Sequence, residues 1–527
     1  MLKTSIFAMD LEIYTLSNTN DSFYNQHTST YNKKMNLKTS AVLNEKQIST
    51  GQKSILKDSL AGEAMVNLSG GAFITAMAIH LGASNFQIGL LASLPILTNI
   101  FQLLSIWLVK RYNNRRLVTV TSSVLGRFPM LFAAFLPFMF STEMSLQLLL
   151  AILFIHYLFG SIAGASWNSW VKDLIPEDRL GSFFSHRTKL TTILSASLGL
   201  TISFTIDFVK ANYIDYLTLT YYGIFITGGI VGLLGIYWLS KAPEPTPIVN
   251  QDSVFEQFKK PLKDKNFKNL LIFNAAWAFS LNMAAPFFTV YLMRTMGLPL
   301  SYVIGFTILA QLSNIFTIKT LGLYSDRFSN KTILNIFAPV YITCMFGWIY
   351  ASMPTEQVYG LLILGVISIF SGIATGGINL ALYNIGMKLA PRREAMAYMS
   401  SLNMVVAMFS AISPIIAGLL ADSLATQKLI WDIQLKNSDG IRSLEIINLQ
   451  GWGFLFVIGG LMAAASLKLL SRVKENGEIG RERVINYMQL RLQKSLRKSS
   501  TSIYRRGVVS PMQKAQTMLR MDSNEAA

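Results

Sequence analysis

One charged stretch, set between long apolar runs, occurs twice in this chain, and the duplication limits the fold more than any other feature. The first copy, Trp167-Asn-Ser-Trp-Val-Lys-Asp-Leu-Ile-Pro-Glu-Asp-Arg-Leu-Gly-Ser-Phe-Phe-Ser-His-Arg187, packs Lys172, Asp173, Glu177, Asp178, Arg179 and Arg187 around Pro176. The second, Tyr383-Asn-Ile-Gly-Met-Lys-Leu-Ala-Pro391-Arg-Arg-Glu-Ala-Met-Ala-Tyr-Met-Ser400, follows 215 positions later, with Pro391, Tyr398 and Ser400 in place of Pro176, Phe183 and Ser185. The same offset carries Thr98-Asn-Ile-Phe-Gln-Leu103 onto Ser313-Asn-Ile-Phe-Thr-Ile318. Two copies of one unit, each made of apolar segments, describe a membrane protein with two similar halves.

A hydrocarbon core of roughly 30 Å takes about 20 apolar residues as a helix. Twelve segments meet that length: 61–82, 86–108, 117–140, 145–170, 188–208, 215–239, 270–293, 301–323, 332–352, 357–386, 396–421 and 451–471. A backbone facing lipid must satisfy its own hydrogen bonds, so these read as helices. The expected fold is an all-α polytopic membrane protein of 12 transmembrane helices in two six-helix pseudo-repeats, 59–240 and 269–472. Residues 1–58 are polar and aperiodic and read as a disordered tail, within which Met35 offers an alternative start. Residues 241–268, opening Ala-Pro-Glu-Pro-Thr-Pro and then lysine-rich, read as the linker between halves. In the basic tail 473–527, Ile485, Met488, Leu492 and Leu496 share one helical face, which suits either an interfacial amphipathic helix or a solvated segment. The long connection 422–450 suggests no role.

The formal charge of +18 raises nucleic acid as a partner, but the basic residues flank apolar segments, which is a membrane-orientation signal. Lys110, Arg111, Arg115, Arg116, Lys172, Lys259, Lys260, Lys263, Lys388, Arg392 and Arg393 fall in one alternating set of loops. That set belongs in the cytoplasm, with both termini, and the bilayer is expected to be a bacterial-type inner membrane. Cys344 is the only cysteine and stands in an apolar run, so no disulfide framework is expected. No phosphate-binding loop, metalloprotease or nucleophile-elbow motif is present and four histidines lie far apart, so neither an enzyme nor a cofactor or metal is expected.

Gly322-Leu-Tyr-Ser-Asp-Arg-Phe-Ser-Asn-Lys331 resembles the loop signature of the major facilitator superfamily, G-x-L-x-D-R-x-G-R-K, through Gly322, Asp326, Arg327 and Lys331, with Ser329 at the second glycine. The first-half counterpart, Trp107 to Arg116, has no aspartate. The 167–187 stretch is similar to a bacterial subset of the same superfamily through Trp167, Trp170, Asp173, Pro176, Gly181, Phe183, Phe184 and Arg187, although Leu180 stands where that pattern has arginine. The resemblance implies two parallel halves rocking about a central pathway. It also implies a cytoplasmic gate, to which Gly322, Asp326, Arg327 and Lys331 would contribute along with Asp173 and Arg187. The implied activity is secondary active transport of a small solute by a monomer in contact with lipid, with a proton as a possible coupling ion. An efflux carrier, or a transporter-like receptor or scaffold, is the alternative.

Within the spans, ionisable residues are the first places to look for chemistry, because charge at membrane depth is expensive. Arg127 lies about 15 Å along span 3 at 1.5 Å per residue, either as an anion or gating group or bonded to a neighbouring helix. His156, mid-span, suits substrate binding, proton exchange or a helix contact. Glu63, with Asn67 on its face, is the first-half carboxylate available for proton coupling, or else a wet carboxylate at a helix N-terminus. Asn274, Trp277 and Asn282 share one face of span 7, and Thr375, Asn379 and Tyr383 one face of span 10; they either line a cavity or tie helices together. Asn99 and Asn314 occupy equivalent repeat positions and read as structural. Arg127 and His156 lean the expected solute toward an anionic or polar one, with uptake and efflux both open.

Overall fold

The computed structural model describes residues 39–40, 43–133, 135–246, 260–322, 329–351, 357–391, 394–437 and 440–475. The first half holds α1 (Glu45–Ser69, continuing as Gly71–His80), α2 (Asn85–Leu97, a 3-10 turn Thr98–Phe101, then Gln102–Tyr112) and α3 (Arg115–Arg127, then the short turns Pro129–Ala133 and Leu136–Met139). It is completed by α4 (Thr142–Leu174), α5 (Glu177–Asn212) and α6 (Leu217–Leu239). The second half holds α7 (Lys265–Ala284, then Phe287–Val290 and a π turn Tyr291–Thr295), α8 (Leu300–Gly322) and α9 (Asn330–Tyr350). It ends with α10 (Gln357–Leu389), α11 (Ala395–Leu424) and α12 (Trp452–Leu470). Each expected span thus has a helix. Ten are long and apolar enough to cross a membrane; the other two, α1 and α3, are interrupted at Gly70 and after Arg127.

Three departures from the sequence reading matter. Helix α1 starts at Glu45, so residues 45–58, expected in a disordered tail, are its first turns. A capping box starts it there: the Asn44 side chain accepts the Gln47 N–H at 2.8 Å, and the Gln47 side chain accepts the Asn44 N–H at 2.9 Å. The start of the linker is folded onto the first half, where Glu244–Pro245 (β2) pairs in parallel with Thr39–Ser40 (β1) and the buried Trp170 indole donates to the Pro243 carbonyl at 2.9 Å. The connection 422–450 is an antiparallel hairpin of Lys428–Asn437 (β3) and Gly440–Gln450 (β4), with a bulge at Trp431/Asp432. The tail positions 482–498 lie outside the described residues.

Carboxylates set at helix N-termini hold the bundle together. Asp207 on α5 accepts the Leu300 and Ser301 N–H groups at the start of α8, both at 2.8 Å. Asp422 on α11 accepts those of Asn85 and Phe86 at the start of α2, at 3.1 and 2.9 Å. Every residue of one clamp is 215 positions from its counterpart in the other. Both clamps join opposite halves, and both lie at the end away from the basic loops; Arg294 adds a bond to the Ala83 carbonyl at 2.8 Å. Among the described residues, every hydrogen bond found between the halves lies at this end.

At the basic end the equivalent contacts stay within a half. Glu244, just past α6, accepts the Arg115 and Arg116 N–H groups that open α3, and Arg115 also pairs with Asp173. Glu475, just past α12, accepts the Asn330 and Lys331 N–H groups that open α9, together with the Ser329 hydroxyl and the Lys388 ammonium. The apolar packing divides in the same way. One cluster runs through both halves at the far end, from Ile88 and Ile202 to Ile304 and Ala417. At the basic end Ile55, Val120 and Leu239 form one cluster, and Phe267, Ile333 and Leu402 another.

Hydrogen bonds to charged groups contribute about 1.5–3 kcal/mol each. Replacing Asp207 and Asp422 together by asparagine should therefore open the far end. A cysteine placed at Ser301 is expected to react several-fold faster with a membrane-impermeant maleimide in the double variant; an unchanged rate would show that the clamps do not hold this end shut. Glu475 gives a pH signature. Burial opposes its charge, but the bonds from Lys331, Ser329, Asn330 and Lys388 outweigh burial and hold its carboxyl below the usual range. Such a group stabilises fully above the unfolded value of about 4.3, and its contribution is lost as pH falls through the depressed folded value. Glu475→Gln should lower Tm at neutral pH and flatten the fall of Tm below about pH 4.

Candidate functional site

A cavity of about 310 Å³ in the first half gathers residues that the sequence scatters over five helices. Asp58, Ser59 and Glu63 come from α1, Arg127 from α3, His156 and Trp167 from α4, Arg187 from α5 and Leu239 from α6. The capping box places two of them, because extending α1 back to Glu45 turns Asp58 and Ser59 into helical positions on the Glu63 side.

Arg127 is committed. One guanidinium nitrogen donates to Asp58 at 2.9 Å and to the Gly232 carbonyl of α6 at 2.8 Å. The pair is largely enclosed, at 17% and 6% side-chain exposure. Space for it comes from Gly235, where an added Cβ would stand 2.9 Å from both the arginine nitrogen and the aspartate oxygen. His156 lies one turn of α4 from Gly160 and bonds through Nδ1 to the Gly126 carbonyl at 2.9 Å. A carbonyl has no proton to give, so Nδ1 carries the hydrogen and Nε2 is left as the exchangeable nitrogen.

Glu63 and Arg187 are arranged differently. The Glu63 carboxylate accepts from Asn67 at 3.2 Å, and Asn67 in turn accepts from Ser195 of α5 at 3.0 Å. Among the described residues, no cation lies within ion-pair distance of Glu63. Arg187 donates through Nε to Ser59 at 2.8 Å and lies over the Trp167 ring at 5.1 Å, again with no carboxylate among the described residues. The cavity therefore holds one neutralised pair and two open charges of opposite sign.

The other candidates separate. Asp173 pairs with Arg115 inside the first half, so Asp173 and Arg187, expected together at the gate, have different surroundings. Asp326 and Arg327 lie outside the described residues; Gly322 closes α8, and Lys331 bonds through Nζ to the Val473 carbonyl at 2.8 Å. Asn274 and Trp277, expected on a cavity face, are each 3% exposed within the second-half core. The Asn274 amide bonds to the Leu270 carbonyl of its own helix, while Trp277 stacks on Phe273. Asn282 ties α7 to Ser410 of α11 at 3.1 Å. Asn379 and Tyr383 are exposed. Thr375 lines a separate cavity of about 340 Å³ in the second half. Asp58, the partner of Arg127, went unread in the sequence; its one signal was the Asn44–Gln47 capping pattern.

Two pseudo-symmetric six-helix halves, hydrogen-bonded to each other at one end among the described residues, with open charge in the cavity of the first, have the architecture of a membrane solute carrier. The sequence model of the Major Facilitator Superfamily matches residues 61–414, and the chain belongs to that family. Solved structures agree on the fold. A mutant form of the nucleoside transporter NupG superposes with a TM-score of 0.62 over 80% of this chain and 100% of its own, at 14% identity. The inward open xylose transporter XylE from E. coli gives 0.52 over 83% and 97% at 15% identity. A bacterial homologue of the human drug peptide transporters gives 0.52 over 81% and 100% at 13% identity. No curated protein sequence matches the chain.

Breaking a buried ion pair by removing one partner costs about 3–5 kcal/mol, whereas removing both charges costs far less. Asp58→Asn should therefore lower the Tm of the purified protein by several degrees, and Asp58→Asn with Arg127→Gln should recover most of the loss. A double variant no better than the single one would mean that Arg127 is held chiefly by the Gly232 carbonyl.

Proposed function

We propose that the chain is a secondary active transporter that moves a small solute bearing an anionic group, with Arg187 receiving that group in the first-half cavity. The supporting observation is that Arg187 faces the cavity with, among the described residues, a hydroxyl and an aromatic face as its partners. An arginine fork matches carboxylate and phosphate geometry, and exchanging its one bond to a hydroxyl for two bonds to an anion is favourable. Glu63 and the free nitrogen of His156 are the groups able to take up a coupling proton, while the Asp58–Arg127 pair fixes α1 against α3. The basic loops mark the cytoplasmic side of an inner membrane. On that orientation the clamped end is external, the halves are closed outside and open inside, and transport proceeds by rocking of residues 59–240 against 269–472.

The proteins named above include a nucleoside transporter, a xylose transporter and a homologue of drug peptide transporters, so the fold by itself selects no solute. A thermal-shift screen of the purified protein against organic acids, sugar phosphates and neutral metabolites would identify the ligand. Labelled ligand in proteoliposomes then tests the reading. Arg187→Ala is expected to reduce uptake at least ten-fold with Tm little changed, and Glu63→Gln to remove the response to an imposed pH gradient. Undiminished transport by Arg187→Ala would overturn the assignment, and binding without counterflow would point to a receptor instead.

A further inference from the structure

The second-half cavity is built from different chemistry. Its walls come from α7, α8, α9 and α10, and among the described residues no charged one lines it. Four of its hydroxyls are already spent. Thr307, Ser368, Ser371 and Thr375 each donate to a carbonyl of their own helix, at 2.6–3.1 Å. Besides the Thr289 hydroxyl and the Trp348 indole, three polar side chains remain. Gln311 and Asn314, one turn apart on α8, and Tyr341 on α9 line the cavity and make no side-chain hydrogen bond among the described residues. All three stand near the middle of their spans, at a depth where lipid offers an amide no partner and an unmet polar group costs several kcal/mol.

The repeat shows that this is a departure from the scaffold. Asn99, the first-half counterpart of Asn314, bonds to Ser161 at 2.9 Å and to Gln102 at 3.1 Å, and so ties α2 to α4. At the position equivalent to Ser161 the second half has Gly376, and at the position equivalent to Gly126 it has Tyr341. The tether is gone, and the asparagine amide and a phenol turn toward an open volume of about 340 Å³. Beside them lies an aromatic wall, Phe288 stacked on Trp348 with ring centroids 4.3 Å apart and planes 15° from parallel.

We infer that this cavity is a binding site for an uncharged, flat heterocycle whose edge carries adjacent donors and acceptors. A carboxamide presents one donor and one acceptor side by side and pairs with such an edge through two bonds, as asparagine and glutamine do with a nucleobase. Stacking a heterocycle on an aromatic side chain contributes about 1–3 kcal/mol, and cavities of a few hundred Å³ are of ligand size. The absence of charge in the lining excludes an anionic ligand here, because nothing would offset its desolvation. The site does not rest on Arg187 or on transport.

The test is equilibrium binding to the full-length protein in detergent, with uridine and adenosine as heterocyclic probes and xylose and benzoate as controls. Uridine or adenosine should raise Tm, and benzoate should not. Gln311→Leu and Asn314→Leu should each raise Kd at least five-fold, and Tyr341→Phe, which removes only a hydroxyl, two- to five-fold, while Arg187→Ala leaves Kd unchanged. No binding of either heterocycle, binding untouched by all three cavity variants, or equal stabilisation by xylose would each overturn the inference. A protein that binds uridine but fails in proteoliposomes would keep this site and lose the transport reading.

Discussion

A carboxylate at the N-terminus of a helix is the interaction on which this molecule turns. The first N–H groups of a helix have no partner within it and carry a partial positive charge, so an aspartate or glutamate aimed at them gains both hydrogen bonds and a favourable field. Among the described residues Asp264 makes this contact locally, capping α7, and four carboxylates make it between helices, as two related pairs. Glu244 and Glu475 each follow the last helix of a half and close on the third helix of the same half, making each half one body. Asp207 and Asp422 use the same chemistry between halves. One pair keeps the bodies rigid and the other keeps their far ends together, and only the second has to break for the halves to part.

The repeat separates frame from chemistry. Positions that keep their identity at the 215-residue offset do structural work twice: Asn67 and Ser195 join α1 to α5, and Asn282 and Ser410 join α7 to α11 in the same way. Positions that have diverged set the charge of the cavities, although Asn314 and Phe288, which line the second, keep the identity of Asn99 and Phe73. Glu63, Arg127, His156 and Arg187 correspond to Ala278, Ile342, Ser371 and Leu402, so the charge of the first half has no echo in the second. In the other direction, Gly126 and Ser161 correspond to Tyr341 and Gly376, which gives the second half its uncharged polar cavity. Duplication alone would have produced two equal sites; divergence left one charged and one neutral.

This pattern also explains what the sequence could and could not disclose. Spans, their number per half and the sidedness of the basic loops follow from hydropathy and charge, which respond to the membrane and not to tertiary contacts. Arg127, His156 and Glu63 stood out because charge at that depth is rare, and the fold brings all three to one cavity. Helical spacing placed Asn274, Trp277 and Asn282 on a common face, but spacing cannot say what a face meets; theirs meets the second-half core and α11. Asp58 was hidden because a hydropathy window discards the polar turns that precede a span, although a capping box had already begun the helix. Asn314 was read as structural by analogy with Asn99, and the analogy fails because its partner position has become glycine.

The two arginines of the first-half cavity show how one residue type serves opposite ends. Arg127 is neutralised by Asp58 and tied to a backbone carbonyl, so an incoming anion would have to displace a carboxylate already in place. Among the described residues Arg187 gives up a serine hydroxyl, a bond of about 1.5–3 kcal/mol, and the face of Trp167, about 1 kcal/mol, with no carboxylate to displace. Every residue lining this cavity belongs to the first half, which the Glu244 contact holds as one body. Rocking the halves therefore leaves the distances among Glu63, His156 and Arg187 unchanged and alters only what covers them. Under the proposed rocking mechanism, a bound anion or proton would bias the conformational equilibrium through the cost of burying open charge beneath the opposite half. An empty cavity with two uncompensated charges resists being covered, and one whose charges are met does not.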